Sequence, residues 1–252
     1  MRARLLVVGI VLATAAAVWA GDFWAEKEYR RWSEKECRNL LEDSPWARGR
    51  VLSEVYITPL QTGPTDPMSQ ADASDPTQRE RQGNPRIEYR AQFRSALPVR
   101  QAMVRLQQVR QGYDQMTPEQ QQAFDAEAEK FLSVAFADTV VVYVGYSATV
   151  QGDDRELAFY WQKQTTDTLK NFVFLIGGKG QKIPMLRYAV AEAGRAFQFV
   201  FPRVYEEQPV VEPTDKSLKL DFEHPGVRGQ GKQRILLEFP VKKMLLQGAL
   251  VY

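Results

Sequence analysis

From Thr139 to Tyr252 the chain is cut into short apolar runs, and this punctuation constrains the fold more than any other feature. Thr139–Val150 (TVVVYVGYSATV), Asn171–Ile176 (NFVFLI), Ile183–Val190 (IPMLRYAV), Ala196–Val204 (AFQFVFPRV), Ser217–Glu223 (SLKLDFE), Arg234–Val241 (RILLEFPV) and Leu245–Tyr252 (LLQGALVY) are strand-length and rich in β-branched and aromatic residues. Turn signals separate several of them: Gly177–Lys182 (GGKGQK), Glu212-Pro213, Pro225-Gly226 and Gly229–Gly231. Many short strands with regular turns predict an antiparallel sheet or sandwich. NFVFLI, the glycine-rich turn and IPMLRYAV read as one hairpin. Asp154–Gln164 is ambiguous, with a short helix carrying Leu157, Tyr160 and Trp161 as one reading.

The first half supplies helices. Ser33 and Glu36 form an S-x-x-E capping box, which predicts a helix starting at Ser33 and ending at Ser44-Pro45. Cys37, Leu40 and Leu41 share one face of it, so Cys37 reads as a buried, inert thiol. Val51–Pro59 reads as a strand. Ile87–Ala96 alternates Ile87, Tyr89, Ala91 and Phe93 against Arg90, Gln92 and Arg94, the pattern of a half-buried strand. Pro98 and Thr117-Pro118 each open a helix, and the apolar stripes that follow predict a helical hairpin. Arg100, Arg105 and Arg110 fall outside the stripe and read as a solvated face. The predicted class is therefore α+β: an antiparallel sheet or sandwich with an N-terminal helix and an inserted helical hairpin.

Residues 61–85 hold Pro64, Pro67, Pro76 and Pro85, no aromatic, and only Met68 as a large apolar side chain. Such a segment cannot offset its ordering entropy by burial, which predicts a mobile loop inserted in a single domain spanning 21–252.

Residues 1–20 (MRARLLVVGIVLATAAAVWA) place Arg2 and Arg4 before a charge-free run, with small residues at its end. That is the layout of a secretory signal, and the run is shorter than the roughly 20 residues a membrane span needs. An uncleaved anchor is the alternative, and membrane contact is then expected only there. Export places the protein in the periplasm or outside the cell. The chain has 33 basic and 31 acidic residues, which become equal in number once Arg2 and Arg4 are removed. Bulk charge then attracts neither nucleic acid nor anionic membrane.

The catalytic inventory is thin, with one histidine and one cysteine. No multi-His or Cys-rich metal site can be built from it, and no cofactor is expected. Asp221, Glu223 and His224 are the most ligand-like group: the two carboxylates share one strand face and His224 follows at the strand end. A hard cation or general-base role is open to them, against a solvated strand edge with a loop histidine. Gly145-Tyr146-Ser147-Ala148-Thr149 approximates a nucleophile elbow but lacks its final glycine. Gly226–Lys232 matches a phosphate loop by letters, yet Gln233 stands where a magnesium-binding hydroxyl belongs. Asp153, Asp154 and Glu156 suit the positive end of a helix.

Trp24, Trp32 and Trp46 bracket the N-terminal helix. They are a candidate contact surface, with packing onto the protein's own sheet as the alternative. The function expected is a non-enzymatic binding or structural module of the bacterial cell envelope, its partner an envelope protein or polymer, with self-association through sheet edges open. The rival is an exported hydrolase using Glu223 and His224, or Ser147.

The stretch WSEKECRNLLEDSPWA (Trp32–Ala47) resembles a segment of uncharacterised exported proteins of acidobacterial type, and the resemblance extends to Phe201–Arg203 (FPR) and Lys242–Met244 (KKM). It implies export, and it carries over no catalytic or binding residue.

Overall fold

The structure is a computed structural model that describes residues 23–53, 86–227, 231–246 and 248–252. The stretches expected as a signal segment (residues 1–20) and as a mobile loop (61–85), and residues 54–59 of the Val51–Pro59 run, lie outside them. The fold is α+β, with antiparallel sheets and an N-terminal helix.

In chain order the helices are α1 (Phe23–Glu26), α2 (Glu34–Glu42), α3 (Leu97–Arg110), α4 (Pro118–Leu132), α5 (Gln151–Lys163) and α6 (Thr166–Leu169). The strands are β1 (Ala47–Ser53), β2 (Arg86–Phe93), β3 (Thr139–Ala148), β4 (Phe174–Ile176), β5 (Lys182–Pro184), β6 (Arg187–Ala191), β7 (Ala196–Pro202), β8 (Val204–Tyr205), β9 (Gln208–Pro209), β10 (Ser217–His224), β11 (Gln233–Pro240), β12 (Leu245–Leu246) and β13 (Ala249–Leu250). Among the described residues no helix is long and apolar enough to cross a membrane.

Two sheets make the sandwich. One has five strands in the order β1-β2-β3-β7-β6, and the other four in the order β11-β10-β4-β5. Their facing side chains interlock. Phe93 meets Phe239 at 4.6 Å between ring centres, and Phe222 meets Tyr89 at 5.4 Å and Phe199 at 5.9 Å. α5 seals one side: Trp161 stacks on Phe197 at 4.0 Å, and Leu157 is fully buried beside it in the core. The ambiguous Asp154–Gln164 stretch is thus part of a helix that begins at Gln151.

The N-terminal helix starts as its capping box dictates. The Ser33 hydroxyl accepts from the Glu36 amide, and the Glu36 carboxylate accepts from the Ser33 amide. Cys37 is buried on its inner face beside Leu40, and burial pushes the thiol up to about 11. In the helical hairpin, Arg100 is buried rather than solvated. Its guanidinium donates to the carbonyls of Phe131, Leu132 and Val134 at 2.8–3.0 Å, satisfying the open end of α4.

Three strand expectations are corrected. β1 starts at Ala47, four residues before the expected Val51, because pairing with β2 carries it through Arg48 and Arg50. IPMLRYAV is not one strand: β5 pairs with β4 in the smaller sheet, and β6 pairs with β7 in the larger. LLQGALVY is a small hairpin of β12 and β13, with Gly248 at φ +79° in the turn.

Candidate functional site

The expected polar cluster is taken apart by strand geometry. Asp221 and Glu223 pair with Leu236 and Arg234 on the outer face of the smaller sheet. Asp221 is nearly covered there by Arg234, whose Nε donates to it at 2.6 Å, and Glu223 is paired with Lys232 at 2.7 Å. His224 has the parity of Leu218, Leu220 and Phe222, so it points inward. Asp221, Glu223 and His224 therefore form no common site. Among the described residues, no group of three or more His, Cys, Asp or Glu side chains is placed to hold a metal ion.

His224 is 1% exposed, and its Nδ1 shares a 2.8 Å hydrogen bond with the fully buried Tyr89 hydroxyl. Desolvation lowers the imidazole from 6.5 to about 4, while the charge of buried Asp153, in the first turn of α5, pulls the other way. Burial pushes the Tyr89 phenol far up. Acid, imidazole and hydroxyl thus gather at the junction of two sheets and a helix. A neighbouring cavity is lined by Tyr160, Lys163, Pro225 and Gly226 among others, and neither His224 nor Tyr89 is in its wall. A buried, neutral histidine bonded to a tyrosine of the opposite sheet ties the layers together.

Ser147 lies on the far side of the larger sheet from His224. It is exposed and pairs with Glu88, whereas the next residue, Tyr89, is the one that reaches inward to His224. The sheet stands between the hydroxyl and the imidazole. Of the three tryptophans, two are buried within the protein itself. Trp32 and Trp46 are 1% and 0% exposed, and Trp24 is half-buried, edge-on to Trp46 at 5.5 Å. Trp32 and Trp46 are core, and their N–H groups find backbone partners inside: Trp32 donates to the Lys27 carbonyl and Trp46 to the Val251 carbonyl.

The polar residues that do converge lie on the outer face of β2 and β3. Three cross-strand pairs, Glu88–Ser147, Arg90–Gly145 and Gln92–Tyr143, line a surface cavity of about 240 Å³. Gly145 leaves the middle of the floor bare. A Cβ there would reach the Tyr143 ring at 3.5 Å, in ordinary contact, so the strand could carry a side chain.

The walls are held by neighbours. Gln92 donates to the Leu41 carbonyl at the end of α2 at 2.6 Å. Arg90 pairs with Glu88 at 2.5 Å and with Glu42 at 3.5 Å. Arg94 donates to Gln92 at 3.0 Å and lies 4.0 Å from the Tyr143 ring centre. The Tyr143 hydroxyl donates to Glu192 in the β6–β7 turn. Burial first, and then Glu192, raise the Tyr143 phenol, so it stays protonated. Donors and acceptors alternate across this face with charges of both signs already paired. The sequence carried half of it: Arg90, Gln92 and Arg94 mark the polar face of the Ile87–Ala96 strand. The partner half, Tyr143, Gly145 and Ser147, is hidden in a run that reads mostly as apolar.

No protein-family model, curated protein or solved structure matches this chain.

Proposed function

We propose that this protein is an exported, non-enzymatic binding module of the bacterial cell envelope, and that the β2–β3 groove holds one uncharged, polyhydroxylated unit of an envelope polymer. The observation that carries the reading is the row of three cross-strand pairs over bare Gly145. Each of Glu88, Arg90, Gln92, Tyr143 and Ser147 has a donor or acceptor there, and a ring can lie directly on the backbone at the glycine. Internal pairing of Arg90 with Glu88 and Glu42 leaves little net field to reward a charged ligand. At about 240 Å³, below the roughly 300 Å³ of a typical small-molecule pocket, the groove suits one ring of a chain. The charge-free run at residues 5–19, behind Arg2 and Arg4, supports export, and the sealed position of His224 supports a binding rather than a catalytic role.

Calorimetric titration of the protein lacking residues 1–20 with maltohexaose, cellohexaose and N-acetylchitohexaose tests this. At least one is expected to bind, and Gly145→Val, which fills the floor with a strand-favouring side chain, is expected to weaken it tenfold or more, about 1.4 kcal/mol. Absence of binding by all three, or binding indifferent to Gly145→Val, would overturn the site. Release of new reducing ends during the titration would overturn the non-enzymatic assignment.

A further inference from the structure

The α3–α4 hairpin stands at the edge of the molecule with its inner seam open. Of the fifteen residues of α4, only Ala128 is buried. Two cavities of about 510 and 490 Å³ run along the seam and share Ala123 and Phe124 in their walls, so they form one continuous trough. Its floor is apolar, with Met103, Phe124 and Phe131, and Phe131 and the following Val134 remain 39% and 46% exposed. A helix that buries so little of its apolar stripe gains little from packing onto its own chain.

The rim indicates what covers it. Its polar members are Gln107, Gln111, Gln115 and Gln120, with Glu127, whose charge is paired with Lys130 on the same helix at 2.9 Å. An interface with two-fold symmetry sets the same patch against itself. A rim of one sign would then repel its own copy and select a partner of opposite charge. Glutamine carries both a donor and an acceptor and can bond to another glutamine, so a neutral glutamine rim fits a like partner. The 61–85 segment is a poor occupant, having no aromatic residue and only Met68 as a large apolar side chain.

We infer that the α3–α4 trough is a homodimer interface, in which two hairpins pack as a four-helix bundle about a two-fold axis with Phe124 and Phe131 at its centre. The trough and the β2–β3 groove have no lining residue in common, although Arg94, which steadies the groove wall, donates to Met103 of the trough at 3.0 Å.

Sedimentation equilibrium of the protein lacking residues 1–20, from about 1 to 100 μM, reads the mass directly. The dimer mass is expected, with Phe131→Glu and Val134→Glu each shifting the protein to monomer while circular dichroism stays native. Both positions are exposed in the single chain, so neither charge is buried there, and Val134→Glu serves should Phe131→Glu fail to fold. A monomer throughout the range would overturn the inference, whether or not hydrogen exchange finds the trough covered by another part of the chain. A dimer that survives both substitutions would place the contact elsewhere, such as a sheet edge, and would equally overturn it.

Discussion

His224 is held neutral because the space between the sheets offers its cation little beyond the charge of Asp153. The folded imidazole titrates near 4, against 6.5 for an ordinary histidine. Above 6.5 both folded and unfolded chains carry it neutral, and it has no effect on stability. Between 6.5 and 4 only the unfolded chain takes up the proton, so stability falls as pH falls through that window, by about 3 kcal/mol at most. Urea unfolding at a series of pH values should show this slope, and His224→Asn, which keeps a hydrogen-bonding group beside Tyr89, should flatten it. An unchanged slope in the variant would mean that other groups carry the acid sensitivity. Ending the strand at Glu223 left His224 as a strand-end or loop residue; the strand runs one residue further, and the odd-even phase of Leu218, Leu220 and Phe222 then turns His224 inward. What the phase could not convey is that a tyrosine from the opposite sheet waits at hydrogen-bond distance. That depends on how two distant segments stack.

Among the elements, the β6–β7 turn shows how little room the fold leaves. Glu192 and Ala193 both take positive φ, and Gly194 follows at +85°. The turn is pressed against α5: a Cβ on Gly194 would come within 2.5 Å of the Ala158 carbonyl, and Tyr146 donates to the Gly194 carbonyl at 3.0 Å. Gly194→Ala therefore combines a left-handed backbone cost with a collision against helix backbone. It is expected to lower stability by about 2 kcal/mol or more in thermal or urea unfolding. A variant as stable as the parent would mean that α5 can retreat. At this scale the sequence was most readable where a local chemical device sets a boundary, as with the capping box of α2 and the prolines in the first turns of α3 and α4. It was least readable where a partner decides. β1 looks too charged to be a strand until β2 is beside it, and α5 has no side-chain cap to announce Gln151 as its start.

Across the whole molecule, the alternating runs predicted sheets and one hairpin, present as β4–β5, without predicting how the other strands divide between the layers. Period-two patterning reports a buried face and says nothing of the neighbour, so IPMLRYAV could not be divided between layers by reading it. The same limit hid the groove, whose halves lie more than fifty residues apart and meet only through the β2–β3 register. The core clusters both sheets and α5 into one apolar body, with Phe93, Phe222 and Phe239 at the facing surfaces. Hydrogen exchange should therefore find Val142 in the larger sheet and Leu220 in the smaller opening with the same free energy, that of global unfolding. Much faster exchange in the smaller sheet would show the layers to be separate cooperative units. One link bears on this directly. Between β5 and β6 the chain passes from one sheet to the other with only Met185 and Leu186, and the Leu186 amide already bonds to the Val200 carbonyl at 2.7 Å. So short a strap pins the two layers to each other at this edge. If the β2–β3 groove binds as proposed, its floor cannot be reshaped by the layers slipping past each other at this link, so its fit to a ligand is set when the chain folds.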